Sequence, residues 1–244
     1  MDLKELESGV EPSTHWYYQV KKIPLLRAAN RLLRAGTQTL NIYDVGAGSG
    51  FFTQELQRQI QRTGPELLLI DTGYTPEEVR ASVTERVKKT TELPATMQQG
   101  LVLLMDVLEH VPDDGAMLKA IGDRAGEELH FFITVPAHPQ LWSFHDDYLE
   151  HYRRYTQQSL RAVLEDSGYR CESVYYIFVG ILPLAWIMRK LLDKNHSPHS
   201  SMKPVSPWLN KLLRLYCSIE IPFRKGNRLC GLTVVAEGVI PAHK

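Results

Sequence analysis

Residues 42–52, IYDVGAGSGFF, constrain this chain more than any other stretch. A β-prone run carrying Asp44 meets Gly46, Gly48 and Gly50, and a helical pattern starts at once with Phe51. Glycine permits a tight strand-to-helix turn and lets a ligand approach bare backbone. The helix start then directs unpaired N–H groups at whatever occupies the turn. Dinucleotide-binding turns use G-x-G-x-x-G. Here the spacing is G-x-G-x-G, and Phe51 stands where the third glycine would fall. That departure, with Asp44 two residues ahead of Gly46, fits an adenosyl ligand without a pyrophosphate.

The strands that follow repeat the logic. Residues 39–45 are the expected first strand and 51–61 the first helix. Residues 67–70, LLLI, form a continuous aliphatic run of the kind buried on both faces of a parallel sheet. That run meets Asp71, then Thr72, 21 residues after Gly50, which leaves room for one helix and one strand. A carboxylate there can accept hydrogen bonds from both hydroxyls of a ribose. A second buried run, 101–105, leads into Asp106, Val107, Leu108, Glu109 and His110. Open α/β sheets bind ligands at such strand ends. Glu109 beside His110 also suits a plain helix start, where an acid is favourable near the dipole. Strand five spans 130–135 and stops at Pro136.

Residues 136–156 are too rich in His138, His145, Asp146, Asp147, His151, Tyr152, Arg153, Arg154 and Tyr155 for a plain connector. Histidine titrates near neutrality and suits removal of a nucleophile's proton. His145, next to Asp146, is the first choice for that base, and His151 the second. A metal site from His145, Asp146 and His151 is an alternative, but no fixed-spacing metal motif is present. A hydrogen-bonded structural loop, with Arg153 and Arg154 pairing the nearby acids, is another.

The flanks are less specific. Residues 1–36 carry Trp16, Tyr17 and Tyr18 ahead of an amphipathic helix that Pro24 starts or kinks. The rings serve either as a core anchor or as a lid. Residues 74–94 should hold a helix and a third strand without showing where. A helix over 157–167, capped by Thr156, and a sixth strand over 170–176 follow the loop. The last strand is expected at 229–239, so 177–228 is an insertion, with helices over 181–192 and 208–219. From Arg189 to Arg228 nine Lys/Arg face two acids, a local +7 in a chain of net charge zero. Such basic, tryptophan-bearing helices suit a membrane interface, or else pack on the core or on a second copy. The apolar run 177–188 is interrupted by Pro183 and is too short to span a bilayer. The three cysteines match neither a zinc pattern nor a disulfide framework, and the polar N-terminus does not resemble a signal peptide, so a cytoplasmic protein is expected.

Taken in order, the glycine turn, Asp71 and MDVLEH resemble the class I S-adenosylmethionine-dependent methyltransferases, over about residues 42–169. The segment VPAHPQLWSFHDDYLEHYRRYT is similar to a bacterial subgroup associated with glycan, lipid or natural-product assembly. The resemblance implies an α/β fold: a doubly wound, seven-stranded Rossmann-like sheet with an antiparallel last strand and a helical insertion before it. Its organisation would be a lid (1–36), a cofactor-binding core (37–176), the basic insertion (177–228) and the last strand with tail (229–244). S-adenosylmethionine would contact Asp44, Gly46, Ala47, Gly48, Gly50, Asp71, Thr72, Asp106 and Val107. His145, Asp146 and His151 would be catalytic, and Trp16, Tyr17, His110, His138, Tyr152 and Arg153 would bind substrate. No metal and no nucleic acid are expected. The implied acceptor is a small-molecule, glycan or lipid-linked hydroxyl, with peripheral membrane contact through 177–228 left open. A non-catalytic cofactor-binding subunit and an RNA methyltransferase using the basic insertion are the competing readings.

Overall fold

The computed structural model describes residues 9–35, 40–59, 66–82, 87–189 and 202–243. Helix α1 (Trp16–Arg34) leads into β1 (Asn41–Val45), α2 (Phe51–Gln59), β2 (Leu67–Ile70), α3 (Pro76–Ala81) and β3 (Val87–Thr90). Then come β4 (Gly100–Met105), α4 (Asp114–Gly122), β5 (Leu129–Pro136), the short α5 (Phe144–Tyr148), α6 (Gln157–Asp166) and β6 (Arg170–Ile177). Helices α7 (Leu182–Ile187) and α8 (Pro207–Glu220) precede β7 (Thr233–Ile240). The seven strands form one sheet in the order β3-β2-β1-β4-β5-β7-β6. β7 alone runs antiparallel, against both β5 and β6.

The aliphatic runs explain the centre. Every residue of β4 is buried, as a strand covered on both faces requires. One face of the sheet packs on Leu118 and Ile121 of α4 and Leu160 and Leu164 of α6. The other packs on Tyr18 and Leu25 of α1, Phe51, Phe52 and Leu56 of α2, and Cys217 of α8. Each such side chain contributes roughly 1.5–3 kcal/mol through its burial. The strand order places the reversal between β1 and β4, whose carboxyl ends carry the glycine turn and Asp106.

Several boundaries differ from the sequence expectation. Helix α1 begins at Trp16 and carries the buried Pro24 inside it, so proline marks neither end. Its missing N–H leaves one turn without a bond, which packing on the sheet outweighs. Strand β3 is the edge strand left open by the sequence; only partly buried and carrying Lys88 and Lys89, it lacks an aliphatic run. The last strand begins at Thr233 rather than 229, because the Asn227 side-chain amide donates to the carbonyls of Cys230 (2.8 Å) and Tyr176 (3.2 Å) and holds a turn there. The expected ends of the first strand (39), the first helix (60–61) and the first insertion helix (190–192) lie outside the described residues. Cys171, Cys217 and Cys230 are all free thiols. No helix among the described residues is long and apolar enough to cross a membrane.

Two stability predictions follow from this packing. A Cβ on Gly238 in β7 would lie 2.1 Å from the Arg170 carbonyl oxygen and 2.9 Å from the Phe131 ring. Gly238→Ala is therefore expected to lower unfolding stability by about 1–3 kcal/mol; an unchanged urea midpoint would contradict the packing. Asp44, buried behind the turn, accepts a 2.6 Å hydrogen bond from the Thr53 hydroxyl. Burial pushes its carboxyl from 3.8 up to about 6. A carboxyl whose pKa is higher folded than unfolded supports folding at low pH and loses that support as pH climbs through the folded value. Stability should thus fall between about pH 4 and 6 through this group, and Asp44→Asn should flatten that part of the curve of melting temperature against pH.

Candidate active site

The glycine turn closes as the sequence suggested. Gly46, Gly48 and Gly50 all have positive φ, at 69°, 52° and 71°. A Cβ on Gly46 would meet Val107 at 2.6 Å, and one on Gly50 would meet Leu69 at 2.3 Å. Only glycine fits, and the turn lies flat on the ends of β2 and β4. Asp71 is fixed beside it. Its Oδ2 accepts the Gly48 N–H (2.8 Å) and its Oδ1 the Gly73 N–H (2.9 Å). The Tyr74 hydroxyl donates to the Gly48 carbonyl (2.7 Å), tying the two turns together. Backbone amides occupy one lone pair on each Asp71 oxygen and leave acceptor capacity on both. Thr72, by contrast, is exposed. Leu93 is partly buried against the core, while Glu92 is exposed beyond the end of β3.

Asp106 ends β4 with φ 57°, a strained value for a residue with a side chain. Its carboxylate is over-determined: Thr134 of β5 donates to Oδ1 (3.0 Å) and the fully buried Lys21 of α1 donates to Oδ2. Loss of hydration alone would raise the Asp106 carboxyl, but the Lys21 charge and hydrogen bond overcome it and hold it below the usual range. Burial likewise opposes the Lys21 ammonium, yet Asp106 and Tyr17 raise it. The Lys21 Nζ also reaches the Tyr17 hydroxyl at 3.2 Å. Glu109, three residues on, is 1% exposed. Burial, then the Asp106 charge, push its carboxyl well above the ordinary range.

The 136–156 segment folds around Asp146 rather than presenting it. The Ser143 N–H donates to Asp146 Oδ2 (2.9 Å), completing a capping box for α5. Arg154 Nε (2.6 Å) and His151 Nδ1 (2.9 Å) bond Oδ1, and Arg154 Nη1 also donates to the Ala137 carbonyl (2.9 Å). Burial would raise the Asp146 carboxyl; the His151 hydrogen bond and the Arg154 charge outweigh it and keep it ionised. Burial and the nearby Arg189 push the His145 imidazole down to about 3. His145 is therefore neutral at physiological pH and a weak base, contrary to its first place in the sequence ranking.

A cavity of about 160 Å³ lies where these parts meet, with Asp106, Glu109, His110, His145, His151 and Arg154 in its wall and Trp16 and Tyr17 above. It brings together Trp16, Tyr17, Asp106, His110, His145 and His151 of the expected set. Three expected substrate contacts fall elsewhere. His138 stacks on Tyr176 at 4.9 Å and lines a separate apolar groove with Leu182 and Trp186. Tyr152 points outward at 57% exposure. Arg153 pairs with Asp114 at 3.0 Å. An irregular loop has no period from which facing could be read. Arg154 and Arg189 line the cavity, and the fully buried Lys21 supports its Asp106 and Tyr17; none of the three is in the expected set. For Lys21 a signal existed, since it lies four residues after Tyr17 and so on the same face of α1. The glycine turn, where a Cβ at Gly46 or Gly50 would collide with Val107 or Leu69, and the carboxylate of Asp71 beside it fit an adenosyl group. Gly46, Gly48, Asp71 and Asp106 are the residues that would hold S-adenosylmethionine.

Residues 17–174, more than half of the chain, match the model of a family described as "Methyltransferase domain". The chain is 26% identical over 162 residues to a ubiquinone biosynthesis O-methyltransferase of Hahella chejuensis, covering 59% of this chain and 66% of that protein. It is 30% identical over 112 residues to the protein of that name from Pectobacterium atrosepticum, covering 41% and 45%. The chain thus spans about half to two thirds of the length of the curated relatives it matches. Among solved structures, it superposes with TM-score 0.55 and 17% identity on a chain of the Haloferax volcanii complex between the Trm112 methyltransferase activator and a methyltransferase, covering 99% of this chain and 94% of that one. A Galdieria sulphuraria chain described as a sarcosine dimethylglycine methyltransferase gives TM-score 0.52 at 13% identity, covering 86% and 82%. These likenesses reproduce the seven-stranded fold, and together with the family match they establish that the chain belongs to the class I S-adenosylmethionine-dependent methyltransferases.

Proposed function

We propose that this protein transfers a methyl group to an oxygen of a small, largely apolar acceptor seated in the cavity beneath Trp16 and Tyr17. The observation that carries this reading is that Asp106, whose neighbour Val107 packs against Gly46 of the glycine turn, also lines that cavity together with Trp16, Tyr17, Glu109, His110 and His151. When bound, S-adenosylmethionine supplies an electrophilic methyl that needs no further activation. The chain's own task is alignment and exclusion of water. Asp71 orients the ribose side, Asp106 stays ionised beside the methionine side, and the rings of Trp16 and Tyr17 cover the acceptor. The acceptor oxygen would take the methyl of S-adenosylmethionine, and the hydroxyl proton would pass to an imidazole of the wall, His110 or His151, since burial and the Asp106 charge favour the protonated form of Glu109. His145, held neutral, offers a hydrogen bond. The O-methyltransferase names of the curated relatives support oxygen as the acceptor atom.

The insertion supports an acceptor met at an anionic membrane. Helix α8 exposes Trp208, Leu212, Leu215 and Ile219 along one stripe, while Cys217 on the other side is buried against the core. Lys203, Lys211, Arg214, Lys225 and Arg228 are exposed around it. An apolar stripe with basic flanks complements anionic headgroups.

Calorimetry with S-adenosylmethionine tests the core of the proposal. Asp71→Ala should weaken binding about tenfold or more, because hydrogen bonds to a charged group are worth roughly 1.5–3 kcal/mol; wild-type affinity in that variant would sink the reading. With hydroxylated aromatic acceptors and labelled cofactor, the label should appear on oxygen, and transfer only to nitrogen or carbon would overturn that part. In vesicle flotation the protein should rise with phosphatidylserine-containing vesicles and not with pure phosphatidylcholine. A Trp208→Ala, Leu215→Ser double variant should stay at the bottom; flotation indifferent to those changes, or none at all, would remove the membrane role.

A further inference from the structure

Glu109, His110 and His151 come from two segments of the chain stapled by backbone. Glu109 and His110 sit on the single 3-10 turn Leu108–His110 that follows Asp106. His151 stands past the end of α5, and the next residue's N–H, that of Tyr152, donates to the Glu109 carbonyl at 2.7 Å. One ligand-type atom from each of the three side chains lies within 4.8 Å of the others. The imidazoles of His110 and His151 meet edge to face, 4.6 Å between centroids.

Two further observations point to an occupant. Glu109 is almost wholly buried, and its Oε2 has no hydrogen-bond partner. An unmet buried polar oxygen is costly, and a bound ion is one of the ways in which such an atom is satisfied. Lys21, whose charge reaches Glu109, already engages Asp106 and Tyr17. Secondly, His151 is oriented through its Nδ1 by Asp146, which Arg154 holds in turn. That is the carboxylate–histidine arrangement that stands behind metal-bound imidazoles and directs the Nε2 lone pair at the ion.

We propose that Glu109, His110 and His151 bind a first-row divalent metal ion, such as Zn²⁺ or Mn²⁺, at the wall of the acceptor cavity. Two imidazoles with one carboxylate suit such ions, whereas Mg²⁺ and Ca²⁺ favour all-oxygen sites. Three protein ligands would leave the ion able to take the acceptor's oxygen, whose proton would then pass to solvent rather than to the ligating side chains. This role rests on the reading of the cavity as the acceptor site; the binding itself does not.

The full-length protein, stripped with chelator, is titrated with Mn²⁺ and followed by loss of the free-ion electron paramagnetic resonance signal, with Zn²⁺ measured by competition. One ion per chain is expected. Glu109→Gln and His151→Asn should each weaken it at least tenfold, and His138→Ala, outside the cavity, should leave it unchanged. Calorimetry with S-adenosylmethionine on the same variants shows whether they are folded: retained cofactor binding with lost Mn²⁺ and Zn²⁺ supports the site. No uptake at millimolar Mn²⁺ or Zn²⁺, uptake untouched by both substitutions, or binding of Mg²⁺ alone would overturn it. Those failures leave the cofactor result standing, so they are distinct from a failure of the methyltransferase reading.

Discussion

The contact between Lys21 and Asp106 joins the helix that comes before the sheet to the strand end at which the ligand sites meet. A fully buried ammonium is tolerated only beside an opposite charge, and Asp106, at the end of β4, supplies it. The pair fixes the face that α1 turns to the sheet, which sets Trp16 and Tyr17 above the cavity. It also lets Asp106 keep a strained backbone angle, because Thr134 and Lys21 grip its carboxylate from two sides. Removing either partner would strand a charge in a low-dielectric environment, which costs far more than the pair itself contributes.

A second network does for the loop what the first does for the helix. Asp146 gathers the Ser143 amide, His151 and Arg154, and so ties the short α5 to the loop that follows it. The acid looks catalytic in the sequence because it stands among histidines. In the fold it orients its neighbours, and the cavity is lined instead by residues whose angles it sets. Net local charge is balanced by Arg154 with Arg189 nearby, and that surplus of positive charge adds to burial in keeping His145 neutral.

How much was legible in the sequence depended on how strongly local chemistry dictates geometry. The glycine turn was legible because no other residue fits at Gly46 or Gly50, and Asp71 because a continuous aliphatic run fixed the strand before it. Strand β3 was not, since an edge strand carrying Lys88 and Lys89 needs no apolar run to pair on one side. The loop's composition announced a site without assigning faces: Tyr152 turned outward and Arg153 turned to Asp114, while His151 stayed between Asp146 and the cavity. For Lys21 the four-residue spacing from Tyr17 was outweighed by its type, because lysine on an amphipathic helix is ordinarily taken for solvent-facing.

One side chain in the insertion carries a consequence for how the molecule assembles. Asn210 of α8 accepts the Trp16 N–H at 2.7 Å and donates to the Thr14 carbonyl at 2.7 Å, so the first turn of α1 is closed by a residue nearly two hundred positions later. Contacts of such sequence separation form late, since a large loop must be closed before they stabilise anything. The parallel strands β1 to β5 and the glycine turn can therefore form while the chain is still being made, whereas the aromatic roof is seated only once α8 has docked and the sheet is closed only when β7 enters between β5 and β6. The nucleotide end of the molecule is an early product of folding, and the acceptor end is the last piece to arrive.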